Sequence, residues 1–517
     1  MTPLFQGTAH TERERPVIMS KVGLVFVPAW GAGHITSMLE FAKRLLLAAA
    51  TGTRRFSITV LLIKPPSRDF SSTSLSHMRS LSSAGLDVRF HRLPELDPPE
   101  HTDGPEDFIS LYFQLHKPHV KAAIIASSSP VPISAILIDF FATPLIDVAH
   151  ELSLPAYVYF SSNSLMLGLI LHLPVLDAAA AETPTELDRA GGDYYIEVPG
   201  VVRLPWGLMP SPFLDRKSRG YAWFVYHGRR FREAEGIVVN TAAEIEPAYL
   251  SALAEGRFVV AEGGGPAMPK VYPVGPVLSL GDGGGDAEGG AGGRECVVWL
   301  DKQPEGSVVF LCFGSGGCFG AHQVKEMAAG LERSGHRFLW CVRSMVVDGS
   351  NRQIVDTNPD EVLPQGFLER TKDRGMVWPS WAPQVEILSH RAVGGFVTHC
   401  GWNSCLEGLW FGVPMLAWPL YAEQHLNQVL MVRDLEVAVG LEVDRKGGNF
   451  VAAGELERGV RCLMGEGEEG RRVRAKVGEM RRASRKAVED QGGSSYMNLK
   501  QLAEDLVCLS VAQGAQQ

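Results

Sequence analysis

Apolar runs of strand length alternate with helical patterns through the first half of the chain. Residues 22–27 predict a buried strand, and residues 35–50 carry apolar side chains at the spacing of a helix. Three further apolar runs also predict strands, at residues 58–63, 135–138 and 155–160. Because a helix between two strands returns the chain to the same edge of a sheet, this alternation predicts a parallel sheet in an α/β domain.

The second half of the chain repeats the same alternation. Four apolar runs predict strands, at residues 308–313, 337–342, 395–398 and 413–417. A helical pattern follows the first of them over residues 322–334, and the tail from Arg482 onward is also helical in pattern. The chain therefore carries two α/β units, which agrees with the domain count expected of 517 residues.

The two units are separated by a segment that cannot bury a core. Residues 271–276 read VYPVGP, and residues 281–293 contain eight glycines in 13 positions, which is typical of a flexible loop. We predict five segments: a disordered extension at 1–18, an N-terminal Rossmann-like domain at 19–265, a linker with the Gly-rich loop at 266–293, a C-terminal Rossmann-like domain at 294–485, and a C-terminal helix region at 486–517 that packs back on the first domain. Translation from Met1 and translation from Met19 both fit the sequence.

Charge and cysteine content disfavour several classes of protein. The formal net charge is −9, whereas nucleic-acid-binding proteins usually carry a basic balance, so we expect no nucleic-acid partner. The eight cysteines include no Cys-x-x-Cys pair, which disfavours a zinc site, and reduced thiols fit the cytoplasm. The sequence has no run of 18 apolar residues, and its first 16 residues contain no apolar core of signal-peptide length. We therefore expect a cytoplasmic monomer without a membrane span.

The first candidate chemical site lies where the strand at 22–27 meets the following helix. The turn reads GAGH and ends at His34, but Thr36 stands where a dinucleotide fingerprint needs its third glycine. An NAD-linked oxidoreductase is therefore disfavoured. At a helix start the dipole disfavours the imidazolium, so His34 is predicted to stay neutral and to be able to act as a general base. The alternative is a histidine that only packs against its neighbours or caps the helix.

Asp139 ends the apolar run at 135–138, at the carboxyl end of a predicted parallel strand. Ligands of α/β folds bind outside that end of the sheet. A carboxylate there can accept the second ring N–H of His34 and stabilise the imidazolium, or it can cap the helix that follows. The sequence leaves both roles open.

The most informative segment is residues 381–424, WAPQVEILSHRAVGGFVTHCGWNSCLEGLWFGVPMLAWPLYAEQ. A strand at 395–398 leads through HCGWNS into a helix, so the free backbone N–H groups of the helix start point at the space above the strand. Helix starts of this kind bind phosphate. His399, Asn403 and Ser404 add side-chain donors at the same place.

Two other side chains of this segment suit a nucleoside. Glu407, one turn into the helix, can accept hydrogen bonds from two ribose hydroxyls, and Trp381 offers a flat face for a base. The segment therefore predicts a nucleoside-diphosphate site. The alternative is that its tryptophans are core residues, which is how we interpret Trp410 and Trp418.

The same 44 residues resemble, along their full length, the signature segment of the plant UDP-dependent secondary-product glycosyltransferases. The similarity extends over nearly the whole chain after Met19 and includes the GAGH turn, ILIDFF, WLDKQPEGSVVFLCFGS and VYPVGP. The loops of the first half are similar to the branch with flavonoid and simple-phenol glucosyltransferases. The resemblance implies a GT-B fold, in which two Rossmann-like domains face each other across a cleft. It also implies that the first domain binds the acceptor and the second the UDP-sugar.

The resemblance also implies roles for individual residues. The histidine that matches His34 is the general base in the family, and the aspartate that matches Asp139 pairs with it. Four sets of residues are expected to contact the donor: Trp381 and the backbone of Ala382 at the uracil, with Glu407 at the ribose; His399, Asn403, Ser404 and Ser315 at the phosphates; Glu423 and Gln424 at the sugar hydroxyls; and Trp402 and Ser161 beside the sugar. Gln384 is also expected to belong to the donor site. Two positions depart from the family pattern, because Ser37 stands where proline is usual and Glu423 replaces the commoner, shorter aspartate.

These residues predict an inverting glycosyltransferase that moves glucose from UDP-glucose to a hydroxyl of a small lipophilic acceptor, a flavonoid or another phenol. UDP-glucose is then a co-substrate and no other cofactor is expected. The chain has no Asp-x-Asp triplet, so no metal is expected either. In the family, Gln at the position of Gln424 accompanies glucose, and His there often accompanies galactose. The alternatives are another acceptor class or C-attachment on the same fold, and a UDP-sugar-binding protein without turnover.

Overall fold

The first half of the molecule is built around a seven-stranded parallel sheet in the computed structural model. The strands of this half are β1 (Lys21–Val27), β2 (Arg55–Leu62), β3 (Val88–Arg92), β4 (Ile133–Asp139), β5 (Ala156–Phe160), β6 (Tyr195–Val198), β7 (Val202–Pro205), β8 (Gly236–Val239) and β9 (Lys270–Pro273). The sheet order is β3-β2-β1-β4-β5-β8-β9, and β6 and β7 form a separate antiparallel pair. This order places β1 and β4 side by side in the middle of the sheet.

The two central strands are apolar on both faces. All residues of β1 after Lys21 are buried, as are all seven residues of β4. Val25 on β1 pairs with Thr59 on one side and Ile136 on the other. Helices cover both faces of such a parallel sheet, which explains the continuous apolar runs. The helices of this half are α1 (Ala32–Ala50), α2 (Ser72–Ser83), α3 (Pro105–Leu115), α4 (Lys117–Ser127), α5 (Ile146–Glu151), α6 (Ser164–Glu182), α7 (Ser211–Leu214), α8 (Arg219–Phe231) and α9 (Pro247–Ala254).

The second half contains a six-stranded parallel sheet. Its strands and those of a nearby hairpin are β10 (Val308–Cys312), β11 (Arg337–Cys341), β12 (Arg343–Asp348), β13 (Asn351–Asp356), β14 (Gly375–Trp378), β15 (Val393–Thr398), β16 (Met415–Ala417) and β17 (Ala438–Gly440). The order is β14-β11-β10-β15-β16-β17, with β12 and β13 as an antiparallel hairpin. The helices are α10 (Glu295–Asp301), α11 (Ala321–Ser334), α12 (Pro359–Val362), α13 (Phe367–Thr371), α14 (Gln384–Ser389), α15 (Trp402–Phe411), α16 (Gln424–Val429), α17 (Ala453–Met464), α18 (Glu468–Glu489) and α19 (Ser494–Gly514).

The structure describes residues 21–50, 55–66, 69–128, 130–182, 195–198, 201–259, 268–280, 295–348 and 351–514. The predicted extension at 1–18, the alternative start at Met19 and the Gly-rich loop at 281–293 lie outside these residues. Within the described ranges, no helix combines the length and the apolar character that crossing a membrane requires.

The apolar runs read from the sequence are strands in the structure, but five sheet strands are not predicted by the pattern: β3, β8, β9, β14 and β17. Strand β3 reads VRFHR and is mostly exposed at the sheet edge, so it lacks an apolar run. The predicted linker at 266–293 begins too early, because Lys270–Pro273 forms β9 at the other edge of the first sheet. An edge strand of four residues that ends in proline looks like a loop in sequence.

The last helix, α19, lies against the first sheet and not against the second. Near its start, Ser494 Oγ donates to Glu244 at 2.5 Å, and Ser495 Oγ donates to the carbonyl oxygen of Gly275. Further along, Asp505 accepts from Lys270 Nζ at 2.7 Å and from Tyr272 OH at 2.6 Å, both on β9. The chain therefore passes from the first half to the second and returns to the first.

Candidate active site

The carboxyl ends of β1 and β4 bring His34 and Asp139 together. His34 lies in the first turn of α1, and Asp139 is the last residue of β4. Nδ1 of His34 is 2.9 Å from Oδ2 of Asp139. The carboxylate accepts this ring N–H, which leaves Nε2 as the basic nitrogen. Oδ1 of Asp139 accepts the backbone N–H of Phe141 at 3.0 Å, so the two hydrogen-bonding roles that the sequence leaves open are both present.

Burial and charge act in opposite directions on the pKa of His34. Burial lowers this pKa, but the charge and hydrogen bond of Asp139, together with the charge of Glu423, raise it above its ordinary value of 6.5. The Asp139 side chain is fully buried, whereas that of His34 is 27% exposed. The imidazolium therefore has a close counter-charge while the ring stays open to the cleft. The carboxylates of Asp139 and Glu423 therefore act on the pKa of His34 in the direction opposite to the helix dipole, on which the prediction of a neutral ring rests.

Aromatic side chains form a wall beside His34. The rings of Phe140 and Phe141 have their centres 5.3 and 5.8 Å from the centre of the imidazole. Trp30, the residue four positions before His34, instead stacks on Phe113 with ring centres 5.7 Å apart and is only 8% exposed. Trp30 is therefore a core residue. Phe140 and Phe141 are as buried as Trp30, at 8% and 9% exposed, but they differ from it in packing directly against the imidazole.

The two serines after β5 face the two sides of the cleft. Ser161 Oγ lies 3.4 Å from Nδ1 of His34, so it borders the same ring. Ser162 Oγ donates to Oε1 of Glu423 at 3.0 Å. Because Glu423 belongs to the second half of the chain, this bond brings a residue predicted to bind the sugar close to His34.

Three of the residues predicted to bind the donor form one hydrogen-bonded cluster. Nε2 of Gln384, at the start of α14, donates to Ser404 Oγ at 2.9 Å and to Oε2 of Glu407 at 2.6 Å. Burial raises the pKa of Glu407 to about 7, although the hydrogen bond from Gln384 acts in the opposite direction. A carboxylate held in this way has a second oxygen free to accept from a ribose hydroxyl.

Trp381 is 48% exposed, which is unusual for so large an aromatic side chain. Its carbonyl oxygen accepts from Nε1 of Trp378 at 3.2 Å, which fixes this segment, and the next residue, Ala382, is buried. The core interpretation is therefore wrong for Trp381. It is right for Trp410 and Trp418, which are 4% and 0% exposed.

His399 lies directly after β15 in a tightly packed loop and is 6% exposed. Burial, and then the positive charge of Arg343, lower its pKa to about 4, so the ring is neutral near pH 7. Nδ1 is buried, and no described residue forms a hydrogen bond with it. A Cβ on Gly314 would stand 2.5 Å from Nε2 of His399, and one on Gly401 would also collide with that atom, so both glycines are needed for this close approach.

The start of α15 contacts the first half of the chain through two side chains. Asn403 Nδ2 donates to the carbonyl oxygen of Gly33 at 3.1 Å, next to His34. Oδ1 of Asn403 is buried without a hydrogen-bond partner among the described residues. Trp402 is 3% exposed, and its Nε1 donates to the carbonyl oxygen of Asn240 at 2.7 Å. The predicted phosphate-binding turn therefore borders the turn that carries His34.

Ser37, which stands where proline is usual in the resembling family, belongs to a buried polar network. Its Oγ lies 2.7 Å from Tyr159 OH and accepts from Asn240 Nδ2 at 3.3 Å. Since the carbonyl oxygen of Asn240 also accepts from Trp402, this network connects helix α1 with the start of α15.

Gln424 is 3% exposed, and its side-chain oxygen accepts two hydrogen bonds. Oε1 accepts the backbone N–H groups of Leu420 and Tyr421, both at 2.9 Å. This fixes the orientation of the amide, whose Nε2 is its hydrogen-bond donor, and the side chain of Tyr421 also hydrogen-bonds with Gln424. Glu423 immediately precedes it, at the N-cap position of α16.

Ser315 lies on an exposed loop after β10, and its side chain forms no hydrogen bond with the other predicted residues in the described ranges. Three residues that the sequence pattern does not single out touch the predicted ones: Ser162, Asn240 and Arg343. Each follows a strand of one of the two sheets by one or two residues, and polar residues at strand ends are the signal that would find them. Among the described residues, no group of three or more His, Cys, Asp or Glu side chains has the arrangement of a metal site.

The chain matches known proteins over nearly its whole length. The family model described as UDP-glucoronosyl and UDP-glucosyl transferase matches residues 284–445. Malvidin galactosylase UGT88C3 of Oryza sativa subsp. japonica is 48% identical over 494 residues, which cover 95% of this chain and 98% of the relative. The chain therefore belongs to the plant UDP-glycosyltransferase family, and the predicted GT-B fold and enzyme class are confirmed.

Other relatives support the same assignment. Flavonol 3-O-glucosyltransferase UGT71C4 of Arabidopsis thaliana is 40% identical and covers 94% of this chain and 98% of its own length. The solved structure of Phytolacca americana UGT2, complexed with UDP-2fluoro-glucose and pterostilbene, superposes with a TM-score of 0.79. It is 36% identical and covers 94% of this chain and 100% of that chain.

Proposed function

We propose that this enzyme transfers glucose from UDP-glucose, with inversion, to a hydroxyl group of a flavonoid or another phenol. The observation that carries the proposal is the His34–Asp139 hydrogen bond of 2.9 Å at the cleft, facing the segment from Trp381 to Gln424. One relative is a malvidin galactosylase, another is a flavonol 3-O-glucosyltransferase, and the related solved structure of Phytolacca americana UGT2 holds pterostilbene. Malvidin, flavonols and pterostilbene are all phenolic molecules.

In the proposed mechanism, Nε2 of His34 takes the proton of the acceptor hydroxyl. The oxygen then attacks the anomeric carbon of the donor sugar as UDP leaves from the opposite face, so a single displacement inverts that centre. Asp139 keeps the proton on Nδ1 and stabilises the imidazolium that forms. The acceptor is proposed to lie at the exposed part of the imidazole, whose other neighbours are Phe140 and Phe141. Holding both substrates in line across the cleft contributes further to the rate.

We assign the donor residues as the family pattern implies. Trp381 stacks the uracil, the backbone of Ala382 reads its edge, and Glu407 accepts from the ribose with Gln384 holding it in place. The other assignments are His399, Asn403, Ser404 and Ser315 to the phosphates and Glu423, Gln424, Trp402 and Ser161 to the sugar. Asn403 donates one N–H of Nδ2 to Gly33 in the structure, and the second N–H of the same group is assigned to a phosphate.

A screen of acceptors with UDP-glucose and mass detection tests the proposed acceptor class. Flavonoids and simple phenols are expected to give the largest products, with masses of O-linked hexosides that acid hydrolyses. Glycosylation confined to aliphatic alcohols or carboxylic acids would contradict the proposal, and an acid-stable product would indicate C-attachment. Binding of UDP-glucose without any product would support a binding protein.

UDP-galactose is a second candidate donor, because the relative that is 48% identical is a malvidin galactosylase. We nevertheless expect kcat/KM to fall in the order UDP-glucose, UDP-galactose, UDP-glucuronic acid. Nε2 of Gln424 is assigned to one sugar hydroxyl, and a mispaired hydroxyl costs roughly 1–3 kcal/mol. The carboxylate of glucuronic acid needs a cation, and Trp402 offers none.

The measurement is kcat/KM for the three donors with one good acceptor, in the wild-type enzyme and in Gln424→His. The variant is expected to shift the ratio of glucose to galactose toward galactose. An unchanged ratio would refute the role of Gln424, and a wild-type preference for UDP-glucuronic acid would refute the argument from Trp402. A wild-type preference for UDP-galactose would make the second candidate the correct one.

We expect kcat/KM to fall as the pH drops through a value above 6.5, because His34 must be deprotonated to act as the base and its pKa is raised. The profile should be recorded with a simple phenol as acceptor, which ionises only near pH ~10 and so does not contribute to the acid limb. An acid limb below pH 6.5 would contradict the counter-charge effect of Asp139 and Glu423.

Activity is expected to survive treatment with EDTA. The free N–H groups at the start of α15 and the side chains around them are assigned to the diphosphate, so a divalent ion is not required. Rates should be compared before and after chelation, with magnesium and manganese added back in separate samples. Loss of activity that either metal restores would contradict the expectation.

We infer that the enzyme is a cytoplasmic monomer without a nucleic-acid partner. All eight cysteines lie in the described ranges and none forms a disulfide, which suits a reducing compartment. The net charge of −9 disfavours a polyanion as partner. Light scattering on the purified protein tests the oligomeric state. Fractionation of plant cells tests the compartment.

A further inference from the structure

The diphosphate of a UDP-sugar brings negative charge into the second domain, and something must balance that charge. His399 does not supply a positive charge, because burial and Arg343 lower its pKa to about 4 and the ring is neutral near pH 7. Its N–H still donates a hydrogen bond. The backbone N–H groups at the start of α15 carry only partial charges. A side chain with a full positive charge near the phosphates would add to these partial charges.

Arg343 lies between the two parts of the proposed donor site. It follows β11 and begins β12, at the carboxyl edge of the second sheet. The guanidinium lies over the exposed ring of Trp381, with its carbon 5.3 Å from the ring centre. Its Nη2 donates to the carbonyl oxygen of Gly314, the residue before Ser315. Gly314 in turn packs directly against His399. The guanidinium therefore lies between the loop of Gly314, where the phosphates are assigned, and the ring of Trp381, where the base is assigned.

Most N–H donors of the Arg343 guanidinium have no hydrogen-bond partner among the described residues. Among the residues that the structure describes, its only hydrogen-bond partner is the Gly314 carbonyl oxygen, and no carboxylate forms an ion pair with it. A guanidinium carries five N–H donors in one plane, so four remain after that bond. A half-buried cation without a carboxylate partner is costly unless a negative ligand completes it.

We propose that Arg343 binds the diphosphate of the UDP-sugar donor and supplies the positive charge that His399 lacks. This inference rests on the proposed use of a UDP-sugar. The planar fork of arginine matches two phosphate oxygens at once, and the bond to Gly314 aims it at the loop where the phosphates are assigned. Stacking against Trp381 holds the rest of the side chain in place.

The test compares the affinities of UDP and uridine by calorimetry in the wild-type enzyme and in Arg343→Met. We expect the variant to bind UDP about 10–100-fold more weakly, as for the loss of a charged hydrogen-bonded pair, and uridine within a factor of about three of wild type. Preserved uridine binding also shows that the variant is folded. Equal weakening of both ligands would mean that Arg343 only supports Trp381, and unchanged UDP affinity would likewise overturn the proposal.

Two further variants sharpen the result. Arg343→Lys keeps the charge and is expected to bind UDP clearly more tightly than Arg343→Met, and a loss as large as that of Arg343→Met would overturn the argument from charge. Arg337→Met is the matched control, because Arg337 lies at the opposite end of β11 and donates to Gln303 at 3.1 Å. It should leave UDP affinity unchanged, and a similar loss there would overturn the proposal. If the wild-type enzyme binds neither UDP nor uridine, the proposed function itself fails.

Discussion

His34→Ala is expected to lower kcat by about 10²–10⁴, the usual contribution of a positioned general base, while the affinity for UDP stays at the wild-type level. The variant loses Nε2, the atom that takes the acceptor proton, and keeps the segment assigned to the donor. Single-turnover rates with a phenol acceptor give the loss, and calorimetry with UDP gives the affinity. The two measurements together separate a chemical defect from a folding defect.

His390→Ala is the matched control for this experiment. His390 also pairs with an aspartate, since its Nε2 lies 3.2 Å from Oδ1 of Asp301, but this pair stands outside the cleft. The control variant is expected to keep its rate within a factor of about three, as most substitutions away from a site do. Near-normal turnover in His34→Ala would exclude His34 as the base.

Asp139→Asn is expected to lower kcat by about 10²–10³, nearly as much as loss of the base itself. Asparagine keeps the shape and its Oδ1 can still accept from Phe141. Its amide then donates to Nδ1 of His34 and does not accept from it. The neutral ring must then carry its proton on Nε2, so the nitrogen that faces the acceptor can no longer take the acceptor's proton.

The double variant distinguishes a shared role from two separate ones. Residues that act as one unit are non-additive, so His34→Ala with Asp139→Asn is expected to be no slower than the slower single variant by more than a factor of about three. Effects that multiply in full would show that Asp139 acts independently of His34. Unfolding temperatures should accompany these rates, because Asp139 is fully buried.

The strands with two buried faces are the part of the fold that sequence analysis predicts best. Strands β1 and β4 are almost uninterrupted apolar runs because helices cover both sides of the sheet, and a strand with one face in water would alternate with polar residues instead. Strands β3 and β9 escape prediction because an edge strand has one partner and an exposed side, so polar residues and proline are tolerated.

The site, like the fold, has parts that the sequence predicts and parts that it does not. A helix start after a strand and an acidic residue one turn later are local patterns, so the region from His399 to Glu407 can be found in the sequence alone. Contacts between the halves are not local. The bond from Asn403 to Gly33 spans 370 positions, and it depends on how two separately folded sheets meet. The raised pKa of His34 has the same origin, because part of it comes from Glu423 of the other half.

The position of α19 determines whether either half of the chain is a complete domain by itself. Asp505 on that helix binds Lys270 and Tyr272 of β9, although more than 200 residues separate them. If the gene were split within the codons for 281–293, the first fragment would lack the helix that covers its sheet, and the second would carry that helix with its natural surface missing. Neither product would be a complete domain. Such a split would yield a complementation pair whose fragments recover their missing contacts only by reassembly.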